Sequence, residues 1–165
     1  MLTDAVDLPA QRVASILRER GETVAVAEGS AGGLISAALL AIPGASAYFL
    51  GGAVVYTARA NQAWMAGAVE TPPGMRGATE TFAGYLARSA AVKLGADWGV
   101  GEAGAAGPAN PYGDPAGHCW IAVASGDDVT TTQLLTGVDD RAVNMVSFAA
   151  AALELFASLL ESDDA

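Results

Sequence analysis

Residues 23–36 contain a strand, a small-residue turn and a helix start in direct succession. Thr23-Val24-Ala25-Val26-Ala27 alternates, Glu28-Gly29-Ser30-Ala31-Gly32-Gly33 turns, and Leu34-Ile35-Ser36 opens an apolar helical segment that ends at Pro43-Gly44. Backbone N–H groups at such a helix start have no partner within the helix. The helix dipole adds partial positive charge there, so the turn suits a phosphate, a carboxylate or a developing oxyanion. Two hydroxyls, Ser30 and Ser36, lie in it. A strand that feeds a helix in this way belongs to sheets whose neighbouring strands run parallel beneath covering helices.

The remaining segments extend that pattern. Residues 9–20 read as a helix, with Pro9 in its first turn, Val13, Ile16 and Leu17 as a stripe and Gly21 as a stop. Strand one is 23–28. Residues 31–41 read as a helix apolar nearly all round, hence buried. A second strand covers 51–57, a short helix 58–65 and a Pro/Gly loop 70–77. Residues 79–94 read as a helix with Phe82, Leu86, Ser89 and Val92 on one face, stopped by Gly95. Strand three is 98–103, followed by a loop over 104–114 rich in Gly, Pro and Asn. Strands at 117–125 and 129–136 are joined by Gly126-Asp127-Asp128, a hairpin signal. A last helix covers 139–161 with acidic residues at its start, and the tail 162–165 is expected to fray. The order α-β-α-β-α-α-β-β-β-α predicts an α/β fold: a mixed, mostly parallel sheet sandwiched by helices, with one antiparallel hairpin.

At 165 residues, with no repeat and no long linker, the chain reads as a single domain over 1–165. Hydrophobic residues at 52% against 16% charged favour a packed globule over disorder. A net charge of −10, with no basic stripe, argues against nucleic acid as a ligand. Cys119 and His118 are the only residues of their types, so they cannot build a zinc site or an internal disulfide. The N-terminus shows no positively charged leader pattern. Residues 34–43, taken as the longest apolar stretch, are too short to span a membrane. The expectation is a soluble cytoplasmic protein with no membrane partner, forming a homo-oligomer and taking a small nucleotide or other anionic ligand.

Six ordered blocks carry a resemblance. They are Ala27-Glu28-x-x-x-Gly32-Gly33-Leu34, Pro43-Gly44-Ala45-Ser46-Ala47-Tyr48-Phe49, Gly52-x-x-x-Tyr56, Leu94-Gly95-Ala96-Asp97, Gly104-Ala105-Ala106-Gly107-Pro108 and Pro115-x-Gly117-x-Cys119-Trp120. Together they resemble the CinA C-terminal domain family, which includes nicotinamide-nucleotide amidases, over residues 11–160. The resemblance implies a three-layer α/β/α sandwich with a mixed five-stranded sheet. It implies hydrolysis of the carboxamide of nicotinamide mononucleotide to nicotinate mononucleotide and ammonia, with no metal and no cofactor. That chemistry needs a nucleophile, a proton shuttle and donors for the tetrahedral oxyanion.

The chain departs from the family pattern in the same blocks. The family turn carries hydroxyl or thiol residues where this chain has Gly29 and Ala31. The family lysine that follows the tyrosine block is Asn61 here, and a family Ser/Thr is Ala103. The only lysine, Lys93, lies near a helix end. Asn carries no charge and is no general base at neutral pH, so a weakened or redirected amidase is expected, or a non-catalytic binding module of the same fold.

Each candidate residue has a functional and a plainer reading. Ser30 is a nucleophile with the Ala31 and Gly32 N–H groups as oxyanion donors, or a helix N-cap. Ser46 is a nucleophile or ligand contact, or a turn cap. Tyr56 shuttles a proton, or packs at a strand end. Glu28 orients the turn, or acts in catalysis. Glu102, a carboxylate in a Gly/Ala strand, is an acid/base group, or an ordinary edge residue. Gly29, Ala31, Gly32, Gly33, Asn61, Gly104 and Gly107 complete the expected ligand-binding set, at the C-terminal end of strand one with the 104–110 loop nearby. Arg59 and Arg141 are the cations suited to a phosphate, with a plain surface role as the alternative. His118 and Cys119 are adjacent on a strand, so they point to opposite faces, Cys119 into the core.

Overall fold

The structure, a computed structural model, describes residues 3–163. Its elements are α1 (Asp4–Arg20), β1 (Val24–Glu28), α2 (Leu34–Leu40), β2 (Phe49–Val54), α3 (Ala58–Trp64), α4 (Glu80–Leu94), β3 (Trp98–Ala105), β4 (His118–Ser125), β5 (Asp128–Leu135) and α5 (Arg141–Asp163), with a 3-10 turn at Ala45–Ala47. They form a three-layer α/β/α sandwich around one five-stranded sheet of order β2-β1-β3-β4-β5. The sheet is evenly mixed rather than mostly parallel. β1 runs parallel to both β2 and β3, whereas β3–β4 and β4–β5 are antiparallel. The reason is that β3 returns through the 106–117 loop, which has no crossover helix, and β4 turns straight into β5.

Strand alternation sorts the core into two layers. Val24, Val26, Val100, Cys119, Ile121 and Val123 face α1, α2 and α5, whereas Ala25, Ala27, Ala122 and Ala124 face α4. On the α4 side the strands carry almost no side chain. A Cβ placed on Gly101 would stand 2.1 Å from the Ala83 carbonyl oxygen, so α4 rests on the sheet backbone itself. On the other side, Tyr48, Phe148, Leu153, Phe156 and Leu160 fill the thicker layer.

Several boundaries differ from the sequence reading. α1 begins at Asp4 and places Pro9 inside the helix, because Val6 also reaches the core and the missing proline N–H removes only one helical bond. α2 is not buried all round: Leu40 is 62% exposed. Its first turn is spent on the bend 30–33, which leaves seven helical residues. On α4, Leu86 and Ser89 are buried but Val92 is 56% exposed, and the buried stripe runs through Ala83, Leu86, Ala87 and Ala90. β2 lies two residues earlier than expected, set by its register on β1 from Val24↔Phe49. β3 runs on to Ala105.

The longest apolar helix is α5, not 34–43. By length and composition it alone, among the described residues, could cross a membrane, but Phe148, Leu153, Phe156 and Leu160 spend its apolar side on the sheet. Of the tail 162–165, Ser162 and Asp163 continue α5, and 164–165 lie outside the described residues. Asp139 and Asp140 precede α5 rather than occupying its first turn. Asp140 accepts the Val143 N–H at 3.1 Å and caps the helix.

Candidate functional site

β1 and β3 end side by side, and Glu28 pairs with Glu102 in their parallel ladder. Both carboxylates point to the α2/α5 side and are wholly buried. Each turns its charge onto the bend that follows β1. Glu28 accepts N–H groups from Gly33 (2.9 Å), Ile35 (3.1 Å) and Ser36 (2.9 Å), and the Ser36 hydroxyl at 2.6 Å. Its carboxylate thereby does the capping that no residue at the helix boundary does, since Gly33, the N-cap of α2, has no side chain to offer.

Glu102 accepts N–H groups from Gly29 (3.0 Å) and Ala31 (2.8 Å), the Ser30 hydroxyl at 2.5 Å and the Cys119 thiol at 3.3 Å. Burial pushes the Glu102 carboxyl above the usual carboxylate range. Hydrogen bonds from Ser30, Ala31 and Cys119 pull it back, and the charge of Glu28 adds to the rise. The Cys119 thiol is driven well above its ordinary value by burial and then by Glu102, so it stays protonated and donates.

These bonds overturn two expectations. The N–H groups of Ala31 and Gly32 are not open oxyanion donors: Ala31 bonds Glu102, and Gly32 bonds the Gly29 carbonyl at 3.2 Å. Ser30 is not a helix N-cap either, because its hydroxyl points back to Glu102 and α2 begins at Leu34. The turn that composition marks as an external anion cradle has the N–H groups of Gly29, Ala31, Gly33, Ile35 and Ser36 taken up by two internal carboxylates.

A cavity of about 390 Å³ opens beside this turn. Gly29, Ser30 and Gly104 form its floor, Val55, Tyr56, Thr57 and Asn61 one wall, and Met75, Arg76, Phe82, Asn110 and Tyr112 the other. Ser30 is 5% exposed and lines this space, and Glu102 stands behind it without lining the cavity. A Cβ on Gly104 would stand 2.8 Å from the Ser30 Oγ, so glycine there keeps the hydroxyl seated.

Ser30, Gly29, Tyr56, Asn61 and Gly104 thus come together as expected of one pocket, and others do not. Ala31, Gly32 and Gly33 do not line the cavity. Ser46 sits exposed in the 3-10 turn before β2, at the opposite end of the sheet, because β2 runs parallel to β1 and Ser46 precedes its first residue. Gly107 does not line the cavity; its carbonyl accepts the Arg141 guanidinium at 2.7 Å. Arg141 also donates to the Tyr56 hydroxyl at 2.9 Å, tying α5 to the cavity wall. Arg59 is exposed and off the cavity, and Lys93 bonds the Ala66 carbonyl at 2.8 Å. His118 is buried on the α4 side, with Nε2 3.0 Å from the Ala78 carbonyl and Nδ1 3.2 Å from Gln133.

Sequence reasoning placed the 104–110 loop, and with it Asn110, beside the site, but named none of Met75, Arg76, Phe82 and Tyr112 as part of it. Arg76 makes a two-point contact with Asp114 at 2.8 and 3.2 Å and lies 4.8 Å over the Tyr112 ring. That contact holds the Asp114 carboxyl below its usual range. Asn144, fully buried, donates to the carbonyls of Ala106 and Val138 at 2.8 Å and fastens the loop after β3 to α5. Nothing in the local pattern marks these residues, since each partner is tens of positions away or sits in a loop without periodicity.

The model of the CinA C-terminal domain family matches residues 7–160. A "CinA-like protein" of Prochlorococcus marinus (strain MIT 9313) is 39% identical over 113 residues, covering 68% of this chain and 26% of that protein. A "CinA-like protein" of Chlorobium phaeobacteroides is 35% identical over 155 residues, covering 90% of this chain and 37% of that protein. The chain therefore spans about a quarter to a third of the length of the curated relatives it matches. The solved structure of competence/damage inducible protein CihA from Agrobacterium tumefaciens superposes with a TM-score of 0.86 at 26% identity, over 96% of this chain and 98% of that one.

Proposed function

The chain belongs to the CinA C-terminal domain family, and on that premise we propose that its cavity is an amidohydrolase site acting slowly on the carboxamide of a pyridine nucleotide. The observation that carries this reading is the 2.5 Å hydrogen bond from the Ser30 hydroxyl, on the cavity floor, to the buried Glu102. A hydroxyl is a poor nucleophile until a positioned base takes its proton. A carboxyl raised by burial is a stronger base than one in water, once ionised. In the proposed reaction the Ser30 Oγ bonds to the amide carbon and its proton passes to Glu102. Collapse breaks the C–N bond, and the same proton leaves with ammonia. Water then hydrolyses the resulting ester on Ser30 to give the acid.

The cavity volume lies in the range of small-ligand sites and suits a mononucleotide rather than a polymer. The net charge of −10 supports the same exclusion of nucleic acid. The protein is proposed to act in the cytoplasm, without cofactor or metal, as a homo-oligomer. Slowness follows from Asn61, which supplies no cation on the cavity wall, and from the commitment of the Ala31 N–H to Glu102. One observation favours a second reading, a non-catalytic nucleotide-binding module: both Glu102 oxygens are already taken by four donors, as in a structural clamp.

Ammonia release from nicotinamide mononucleotide, measured beside calorimetric binding, separates the two. Slow release that falls about a hundredfold or more in Ser30→Ala and in Glu102→Gln supports the amidase. Binding without release selects the module. Release undiminished in both variants removes Ser30 and Glu102 from the chemistry.

A further inference from the structure

β2 is one edge of the sheet, and among the described residues no strand lies along its outer side. Val55 donates its N–H to the Glu28 carbonyl at 2.7 Å, so by alternation the N–H groups of Gly51 and Ala53 also face β1. Those of Gly52 and Val54 point away from the sheet. Leu50, Gly52 and Val54 are exposed. Leu94 flanks the strand on the α4 side: it too is exposed, and its Cδ1 lies 3.1 Å from the place of a Cβ on Gly51. Natural sheets blunt such an edge with charge or proline, and Phe49-Leu50-Gly51-Gly52-Ala53-Val54 has neither. The one irregularity, a register shift between Phe49 and Gly51, leaves Gly51–Val54 regularly paired.

The distribution of charge decides what covers this edge. The chain carries a net −10, yet residues 29–58 contain no Asp, Glu, Lys, Arg or His. That run holds α2, the 3-10 turn and β2. Two copies of so acidic a chain repel through their charged surfaces, and an approach along β2 sets neutral against neutral. A cationic partner is drawn to the acidic remainder instead. The opposite edge, β5, opens on Asp128 after Asp127 and continues through three threonines to Gln133. β2 also complements itself. In antiparallel pairing the bulky Phe49-Leu50 end of one copy runs along the Ala53-Val54 end of the other, with the two glycine pairs between them.

We propose that β2 is the interface of a symmetric dimer of this chain, two β2 edges pairing antiparallel so that the sheet continues from one copy into the other. The proposal names the surface behind the homo-oligomer put forward above, and it is independent of the amidase chemistry. A two-fold pairing uses the same edge on both copies and closes at the dimer, leaving only the polar β5 edges outermost. It gives the outward N–H groups of Gly52 and Val54 their acceptors and covers Leu50 and Val54. Val55, Tyr56 and Thr57, which follow β2 directly, line the cavity, so the paired strand also steadies that wall.

The test is analytical ultracentrifugation over roughly 1–200 μM, a range that reports micromolar association, joined to amide hydrogen exchange. The wild type should form a dimer, with the Gly52 and Val54 amides protected at high concentration and exchanging freely on dilution. Leu50→Lys and Val54→Lys each place a charge on the edge at an exposed position, and each should weaken the dimer about tenfold or more. Val129→Lys, on β5, should leave the association unchanged. Thermal melts check that each variant folds; exchange on the wild type carries the test if one does not. A wild type that stays monomeric overturns both this proposal and the homo-oligomer, and leaves the edge to a strand of another protein. A dimer that survives both β2 substitutions, that Val129→Lys dissociates, or whose Gly52 and Val54 amides exchange as in the monomer overturns this surface while the oligomer stands.

Discussion

Glu28 and Glu102 occupy one rung of the β1–β3 ladder, both wholly buried, and each holds a different half of the same turn. Glu102 takes Gly29, Ser30 and Ala31; Glu28 takes Gly33, Ile35 and Ser36. Two like charges on one rung repel, and the arrangement stands because nearly every carboxylate oxygen accepts two hydrogen bonds from backbone or hydroxyl donors. The bend that seats Ser30 is therefore held by acid side chains beneath it.

Glu28→Ala should be among the most destabilising changes in the site region. It leaves the N–H groups of Gly33, Ile35 and Ser36 without acceptors in a buried setting. The expected loss is about 3 kcal/mol or more, or a melting point lower by roughly 6–12 °C for a chain of this size. A thermal melt within about 2 °C of wild type would show that α2 is capped some other way.

Glu102 makes stability depend on pH with a definite sign. Burial raises its carboxyl in the folded state above the unfolded value. The folded chain therefore binds the proton more tightly, and stability falls as pH rises. The contribution is fully present below the ordinary carboxylate range and is lost as pH climbs through the folded-state value. In Glu102→Gln this limb disappears, so wild-type stability relative to the variant should decrease steadily with rising pH in denaturant titrations. A difference that grows with pH would mean that the four donors outweigh burial.

The contact between β3 and α4 can be tested with two alanines. Gly101→Ala pushes a methyl group to 2.1 Å from the Ala83 carbonyl oxygen and should prevent α4 from docking, giving little folded protein. Gly84→Ala, in α4 with Val129 3.7 Å away, meets only ordinary contact and should raise stability by about 0.5–1 kcal/mol. Equal tolerance of the two by circular dichroism and melting would contradict the close approach.

Asn61→Lys with Gly29→Ser should raise ammonia release from nicotinamide mononucleotide at least tenfold, in line with the worth of general acid–base help. Position 29 has room, with the nearest atoms to a Cβ at 3.5 Å and no positive φ. The double variant restores a cation and a hydroxyl to the cavity side of the turn. No gain in a protein that still melts cooperatively would mean that the deficit lies in the committed Ala31 N–H rather than in the missing lysine.

Much of the architecture was legible because it is local. Alternation in 23–28, the Gly21 and Gly95 helix stops and the Gly126 turn are read from neighbours, and the element order follows from them. The six sequence blocks pointed to the family, and the family match is independent of any side-chain geometry. The α1 boundary shifted where burial decided it, at Val6, and burial also moved the packed face of α4 off Val92.

By itself the sequence determined that a strand runs through a small-residue bend into a helix, with Ser30 in the bend and a carboxylate before it. Only the tertiary structure decided what those groups do. Glu102 is more than seventy positions from Ser30, and their contact exists because β3 pairs parallel to β1 in a register that puts Glu102 against Glu28. That pairing turned the N–H groups of Gly29 and Ala31 inward, whereas the parallel pairing of β2 with β1 left Ser46 at the far end of the sheet, and α3 after β2 carries Asn61 in the cavity wall. Hydrogen bonds and charge act over a few ångströms of space, and strand register, not chain distance, sets which residues share those ångströms.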